Sequence, residues 1–334
     1  MTQTTFADVI PAAPPAAPGM VYVTPAAHRV QKRIALAVMI VPALGTFEAA
    51  RLWLHHRLGL GDLALFVLMY GVHMGGVTIG LHRLLAHRAF STGKVMQMLL
   101  VAMGSMAGQG PVLYWVATHR AHHAYSDTDA DPHSPHHFGE DRWSKLKGLW
   151  HSHMPWMLAQ RIASASHFAR DLLRDRTLVM LHQMYFLWLA LGLVLPAAIG
   201  AMIHHSWMGL WYGFVVGGLA RMFFANQAAW CVGSVCHMFG SRPFETHDSS
   251  GNNWWVAILT FGEGLQNNHH AFPSYYRHAV RWWEPDLSGW SIALFSKLRL
   301  ASNLRPPSRA AIERAAMKRR QLDSLNQAKD GGVS

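Results

Sequence analysis

Four stretches of this chain are long and apolar enough to cross a bilayer as helices, and nothing else in the sequence limits its fold as strongly. A crossing helix needs about 20 such residues, because its backbone polar groups find no water at that depth. The stretches run from Ile34 to about Trp53, about Leu63 to Leu81, about Leu178 to Ile203 and about Trp207 to Phe239. Glu48 and Arg51 weaken the far end of the first, and the fourth contains Arg221 and Asn226. A further apolar run, Val95 to Met106, is too short to cross and is expected at the interface or packed re-entrantly. The composition agrees, with 51% hydrophobic and only 14% charged residues, against about 25% charged in soluble domains.

Orientation follows from the basic residues. Three Lys or Arg precede the first stretch, eleven lie between His82 and Thr177, and twelve follow the fourth stretch; only Arg51 and Arg57 fall in the opposite loops. That asymmetry puts both termini and the large central loop on the cytoplasmic side of what is expected to be a bacterial inner membrane. The expected fold is therefore an all-α integral membrane protein, with four helices in two hairpins carrying a cytoplasmic helical cap. The net charge of +11 suits anionic lipid headgroups. It does not indicate nucleic acid, because the aromatics lie in apolar runs and no nucleic-acid motif is present. Cys231 and Cys236 form neither a CxxC site nor a plausible disulfide. Residues 1–28, Pro-rich and without a signal-peptide pattern, read as a disordered tail. Residues 29–303 form the membrane domain. Residues 304–334 read as a basic tail with a short amphipathic helix.

On the cytoplasmic side of this topology the histidines converge. His82 and His87 end the second stretch, and "HRAHH" places His119, His122 and His123 at i, i+3 and i+4, on one helical face. His237 ends the fourth stretch, and "GEGLQNNHHAFP" supplies His269 and His270. Interfacial histidines such as His55, His56, His204 and His205 read as snorkelling side chains. His133, His136, His137, His151 and His153 read equally as supporting groups or as loop residues. Eight imidazoles from four segments at one boundary point to metal. No cysteine accompanies them, so iron–sulfur and Cys-rich zinc sites are out. Imidazole suits Zn, Cu, Fe or Ni. Eight ligands are too many for one ion, and two ions sharing them keep positions open for oxygen. Two irons beside a buried lipid would suit attack on an unactivated C–H bond.

At this point the sequence resembles the membrane-bound fatty acid desaturases, specifically the stearoyl-CoA (delta-9) branch with its bacterial and cyanobacterial relatives. The resemblance spans about Gly71 to Asn303. It is carried by "GLHRLLAHRAF", "WVATHRAHHAYSDTDADPH", "HSHMPWML", "CHMFGSRPFETHDSSGNNWWVAILTFGEGLQNNHHAFP" and "RHAVRWWEPDL". It implies a cap holding a di-iron centre and O2-dependent formation of a cis double bond in an acyl chain. It also implies a ferredoxin or cytochrome b5 type electron donor. By motif match, His82, His87, His119, His122, His123, His237, His269 and His270 fall on iron-ligand positions.

Two positions depart from the family pattern. Its third box begins with His where this chain has Gln266, and an Asn that holds a metal-bound water is Gly233 here. Asn226, Asn267 and Asn268 are the nearest candidates to compensate. The cations that hold CoA in animal members are missing too: Ala117-Thr118 and Gln160-Arg161 stand at those places. This favours acyl-ACP or a glycerolipid over acyl-CoA as substrate, with Gln160 and Arg161 at the carrier-binding position. Tyr70 and Met74 fall where the family closes its acyl tunnel, and Trp115 falls at the bend that sets a delta-9-like double bond. The alternatives are a hydroxylase or acetylenase on the same irons, then a metal transporter or an inactive homologue. Transporter ligands sit near the bilayer midplane, whereas these sit at helix ends.

Overall fold

The computed structural model describes residues 17–306 and 308–330. Four helices are long and apolar enough to cross a membrane: Pro25–Leu54, Leu60–Ala86, Tyr185–His204 and Trp207–His237. We call them spans one to four. The third begins later than its apolar run, because that run serves two purposes. Leu178 and Leu181, in a separate helix Arg176–Gln183, are buried in the central core, and the chain breaks at Met184 before span three starts. Apolarity alone does not distinguish core from lipid-facing surface.

The N-terminal expectation also needs correction. Residues 17–28 are ordered: Met20–Tyr22 pairs antiparallel with Arg161–Ala163, and span one starts at Pro25, with the Thr24 hydroxyl accepting from the Ala27 amide at 3.3 Å. Proline at the first helical position forgoes only a hydrogen bond the helix lacks anyway. The remainder of the expected tail, 1–16, lies outside the described residues. At the other end a helix of 22 residues, Arg309–Asp330, replaces the expected short one, and Arg319 ties it to Glu245 at 3.0 Å. Residues 331–334 lie outside the described residues.

Small residues let the helices approach closely. A Cβ at Gly200 would stand 2.3 Å from the Gly209 carbonyl, and one at Gly213 would stand 2.0 Å from that of Pro196. Spans three and four therefore meet backbone to backbone, the usual packing where lipid offers no hydrophobic drive. The short apolar helix Lys94–Ser105 lies on span two in the same way, with Gly76 against Gly104 and Gly80 against Leu100.

Arg221 is fully buried in span four. Pro196 lacks an N–H, so its ring leaves the Gly192 carbonyl, four residues earlier, without a helical donor. Arg221 Nη2 donates to that carbonyl at 2.5 Å, Nε to Gly217 O at 3.0 Å, and Nη1 faces His73 Nδ1 at 2.9 Å. Arg221→Leu should therefore lower stability by about 2 kcal/mol, the cost of orphaning a buried carbonyl. A thermal midpoint in detergent equal to that of the unaltered protein would refute this.

Span two positions the first two histidines. Over Gly76–Ala86 it widens to i→i+5 bonding, ending with the His87 amide donating to the His82 carbonyl at 3.0 Å. In an α-helix, residues five apart point about 140° from each other. The wider turn brings them to within about 50°. The rings of His82 and His87 thus stand 4.7 Å apart. The five-residue spacing works only because the helix widens.

Candidate metal centre

Two sets of imidazoles assemble where span two, the helix Val112–Tyr125, the end of span four and the helix Gln266–Ala271 meet. The ligand atoms of His82, His87, His119, His123 and His269 lie within 4.8 Å of one another, and those of His122, His237 and His270 form a second such set. All eight histidines singled out above fall into one or the other. The helical spacing explains the split: His119 and His123, one turn apart, share the first set, and His122 turns to the second.

In the first set the nitrogens meet head-on: His87 Nε2 to His119 Nε2 at 2.7 Å, His123 to His269 at 2.9 Å, and His82 to His269 at 3.1 Å. Burial pushes the imidazoles of His87, His119, His123 and His269 well below their ordinary pKa. They are neutral near pH 7, so lone pairs converge on a space that a cation would fill. His82 Nδ1 lies 2.5 Å from Glu263 Oε2, and Glu263 is held in turn by Arg83 at 3.2 Å. Arg83 also meets Asp286 at 2.8 Å.

Each imidazole of the second set has a carboxylate behind it. His122 Nδ1 donates to Asp131 at 2.9 Å, His237 Nδ1 to Asp127 at 3.0 Å, and His270 Nδ1 to Asp248. This arrangement fixes the tautomer and makes the outward nitrogen a better donor to metal. Burial alone would raise the Asp131 and Asp127 carboxyls. The facing histidines instead hold both below the ordinary carboxylate range, Asp127 down to about 2. For His122, burial opposes protonation but the Asp131 charge prevails and raises its pKa. Among the described residues His122 Nε2 and His237 Nε2 are buried with no partner at all. Orphaned, carboxylate-backed imidazole nitrogens fit a metal ion.

The carboxylates and a further buried imidazole, His278, which groups with His82 and Glu263, were not singled out in the sequence. A signal existed: Asp127 and Asp131 lie just past the HRAHH box, Asp248 follows "ETH", and Glu263 is the centre of "GEG". The three asparagines expected to compensate do not reach the metal sets. Asn226 Nδ2 donates to Ala107 O, Asn267 Nδ2 to Phe244 O, and Asn268 Nδ2 to His278 O. At position 233 a Cβ would stand 3.4 Å from His133 Nδ1, so the His133 ring occupies the space beside this glycine.

A cavity of about 890 Å³ reaches the metal sets. Its wall includes Val23, Ala27, Ile34 and Ile162, then Trp115, His119 and His122, and also Met74, Val77 and Thr260. Met74 is buried. Tyr70, expected beside it at the closed end, packs on Met74 and Phe261 and donates its hydroxyl to Leu259 O at 2.7 Å. Trp115 stacks on His119 with centroids 5.2 Å apart and donates to Gln109 at 3.0 Å. Gln160 and Arg161 immediately precede the cavity residue Ile162, but they donate to the carbonyls of Val23 and Asp129.

With this geometry in place, comparison with known proteins is informative. Residues 60–287 match the family model described as fatty acid desaturase. A hex-5-enoyl-[acyl-carrier protein] acetylenase of Moorena producens is 40% identical over 82% of this chain and 86% of its own. An sn-1 stearoyl-lipid 9-desaturase of Anabaena variabilis is 38% identical over 72% and 82% respectively. Acyl-CoA desaturase 1 of Saccharomyces cerevisiae is 34% identical over 76% of this chain and 48% of its own.

Proposed function

Because the chain belongs to the fatty acid desaturase family, we propose that it is an integral membrane, O2-dependent acyl desaturase with two histidine-bound irons. The observation that carries this reading is the cavity that passes both imidazole sets. The first iron would be held by His82, His87, His119, His123 and His269, and the second by His122, His237 and His270. Iron bound there supplies the oxidant that O2 alone is not. Overall, two adjacent methylenes lose two hydrogens, a donor supplies two electrons, two protons are taken up from solution, and O2 leaves as two waters.

The chain's own part is to position the acyl tail. Trp115 is locked by Gln109, which donates to Asn226 at 3.0 Å. This wall therefore holds the chain beside the first imidazole set, consistent with a cis double bond at a delta-9-like position. The basic asymmetry supports two membrane hairpins beneath a cytoplasmic cap, where a ferredoxin or cytochrome b5 type donor would reach the irons. Gln160 and Arg161 are engaged with backbone carbonyls, which supports an ACP or glycerolipid carrier over CoA. Met74 limits the depth available to the tail. Met74→Ala should shift the products of an expressing host towards longer chains, and an unchanged profile would refute that role.

The relative at 40% identity favours a second reading, an acyl acetylenase using the same centre. One experiment separates the two: the fatty-acid profile, with unsaturation located by mass spectrometry, of a bacterial host expressing the chain. A new cis-alkene supports the desaturase and an alkyne the acetylenase. Neither product from iron-loaded protein supplied with donor and with acyl-CoA, acyl-ACP and glycerolipid would overturn both.

A further inference from the structure

We propose that Gln266 is itself a metal ligand, its amide oxygen standing where a fourth imidazole would complete the second set, and that the ion held there is the exchangeable one of the pair. The inference rests on the two-iron reading above and deepens it.

Gln266 lies one helical turn before His270, on the same face. It is buried, and its Nε2 is 2.9 Å from His270 Nε2. His270 Nδ1 carries the proton donated to Asp248, so His270 Nε2 presents a lone pair. With no cation between them, the amide NH2 group is the end that suits that lone pair. Its other end, Oε1, is buried with no partner among the described residues. The two ends exchange by a half-turn of the terminal amide, which costs no backbone movement. A cation drawn in by His122 Nε2, His237 Nε2 and His270 Nε2 repels the NH2 and favours Oε1 inward.

His133 is the rival for this role, and its position argues against it. Its ring lies beside His122 at 4.3 Å between centroids, and Nδ1 is 3.6 Å from Asp131 Oδ1. It groups with His122 and Asp131 rather than with His237 and His270.

The two ions are then unequal. One has five imidazoles converging on it; the other has three and a neutral amide oxygen, a weaker donor than imidazole for a transition metal. The test uses the full-length protein in detergent, loaded anaerobically with ferrous iron and challenged with increasing concentrations of a ferrous chelator. The unaltered chain should hold two equivalents and give up one at a chelator concentration at least about tenfold below the other. Gln266→His should bring the two losses together, and Gln266→Ala should hold one equivalent. The equivalent retained in Gln266→Ala also reports that this variant is folded.

Two equivalents leaving together from the unaltered chain would overturn the inference and leave the two-iron reading intact. So would Gln266→His that releases iron like the unaltered chain. No iron in the unaltered chain would overturn the two-iron reading itself.

Discussion

Replacing His122 and His123 together by alanine should abolish the new unsaturated acid while leaving the protein in the membrane. The pair sits at the junction of the two imidazole sets, one ring in each, so a single double variant removes an imidazole from both sets. Neither ring anchors a span, and the helix that carries them keeps its buried face of Val112, Val116, Ala117 and Ala121. Activity should fall below detection, and bound iron should fall with it. The measurement is the fatty-acid profile of the expressing host alongside iron per chain in the purified protein. Product persisting at more than about a thousandth of the unaltered level would mean that the imidazoles are not the oxidising centre.

The second large effect should come from residues that touch no metal. Asp131→Asn and Asp248→Asn each leave a second-set imidazole without the carboxylate that makes it basic. Losing such a partner costs about 10–100-fold in metal affinity. Both carboxyls are held below the ordinary range by the histidines they face. Acid should therefore release iron through the imidazoles. Burial pushes His119, His123 and His269 well below 6.5, and takes His270 down to about 4 despite Asp248. The equivalent held by the first set should stay level as pH falls from 8 to 6 and drop only in more acid solution, and the second, whose His122 has a raised pKa, should leave before it. Both equivalents leaving together near pH 6.5, or asparagine variants that bind iron as the unaltered chain does, would show that these carboxylates and this burial do not govern the site.

Much of this was legible in the sequence because it is written locally. A run of apolar residues reports a span wherever its neighbours lie, and HRAHH reports its shared face through helical periodicity alone. The features that were not legible depend on distant partners. Met20–Tyr22 becomes a strand only because Arg161–Ala163 lies beside it, and nothing near the N-terminus announces that. The widened turn that brings His82 onto the face of His87 carries no reserved residue. Leu178 and Leu181 are as apolar as the span they were merged with, and only packing separates them. Tyr70 occupies the right helical turn for the cavity, yet its hydroxyl is taken by Leu259, far along the chain. The carboxylates stood beside the boxes in plain view, but their pairing with particular rings needed three dimensions.

Arg221 has a consequence for how the protein is made. An arginine near the centre of a lone helix opposes entry into the bilayer by about 2.5–3.5 kcal/mol. Here its guanidinium is satisfied by carbonyls of span three and of the segment after Lys94–Ser105, and by a ring of span two. Span four is therefore a poor candidate to leave the translocation machinery alone. A membrane-integration assay on residues 207–237 by themselves should give weak integration, improved when residue 185 onward is included. The proline that breaks one helix's bonding and the arginine that mends it from the next make the two spans a single unit of biogenesis.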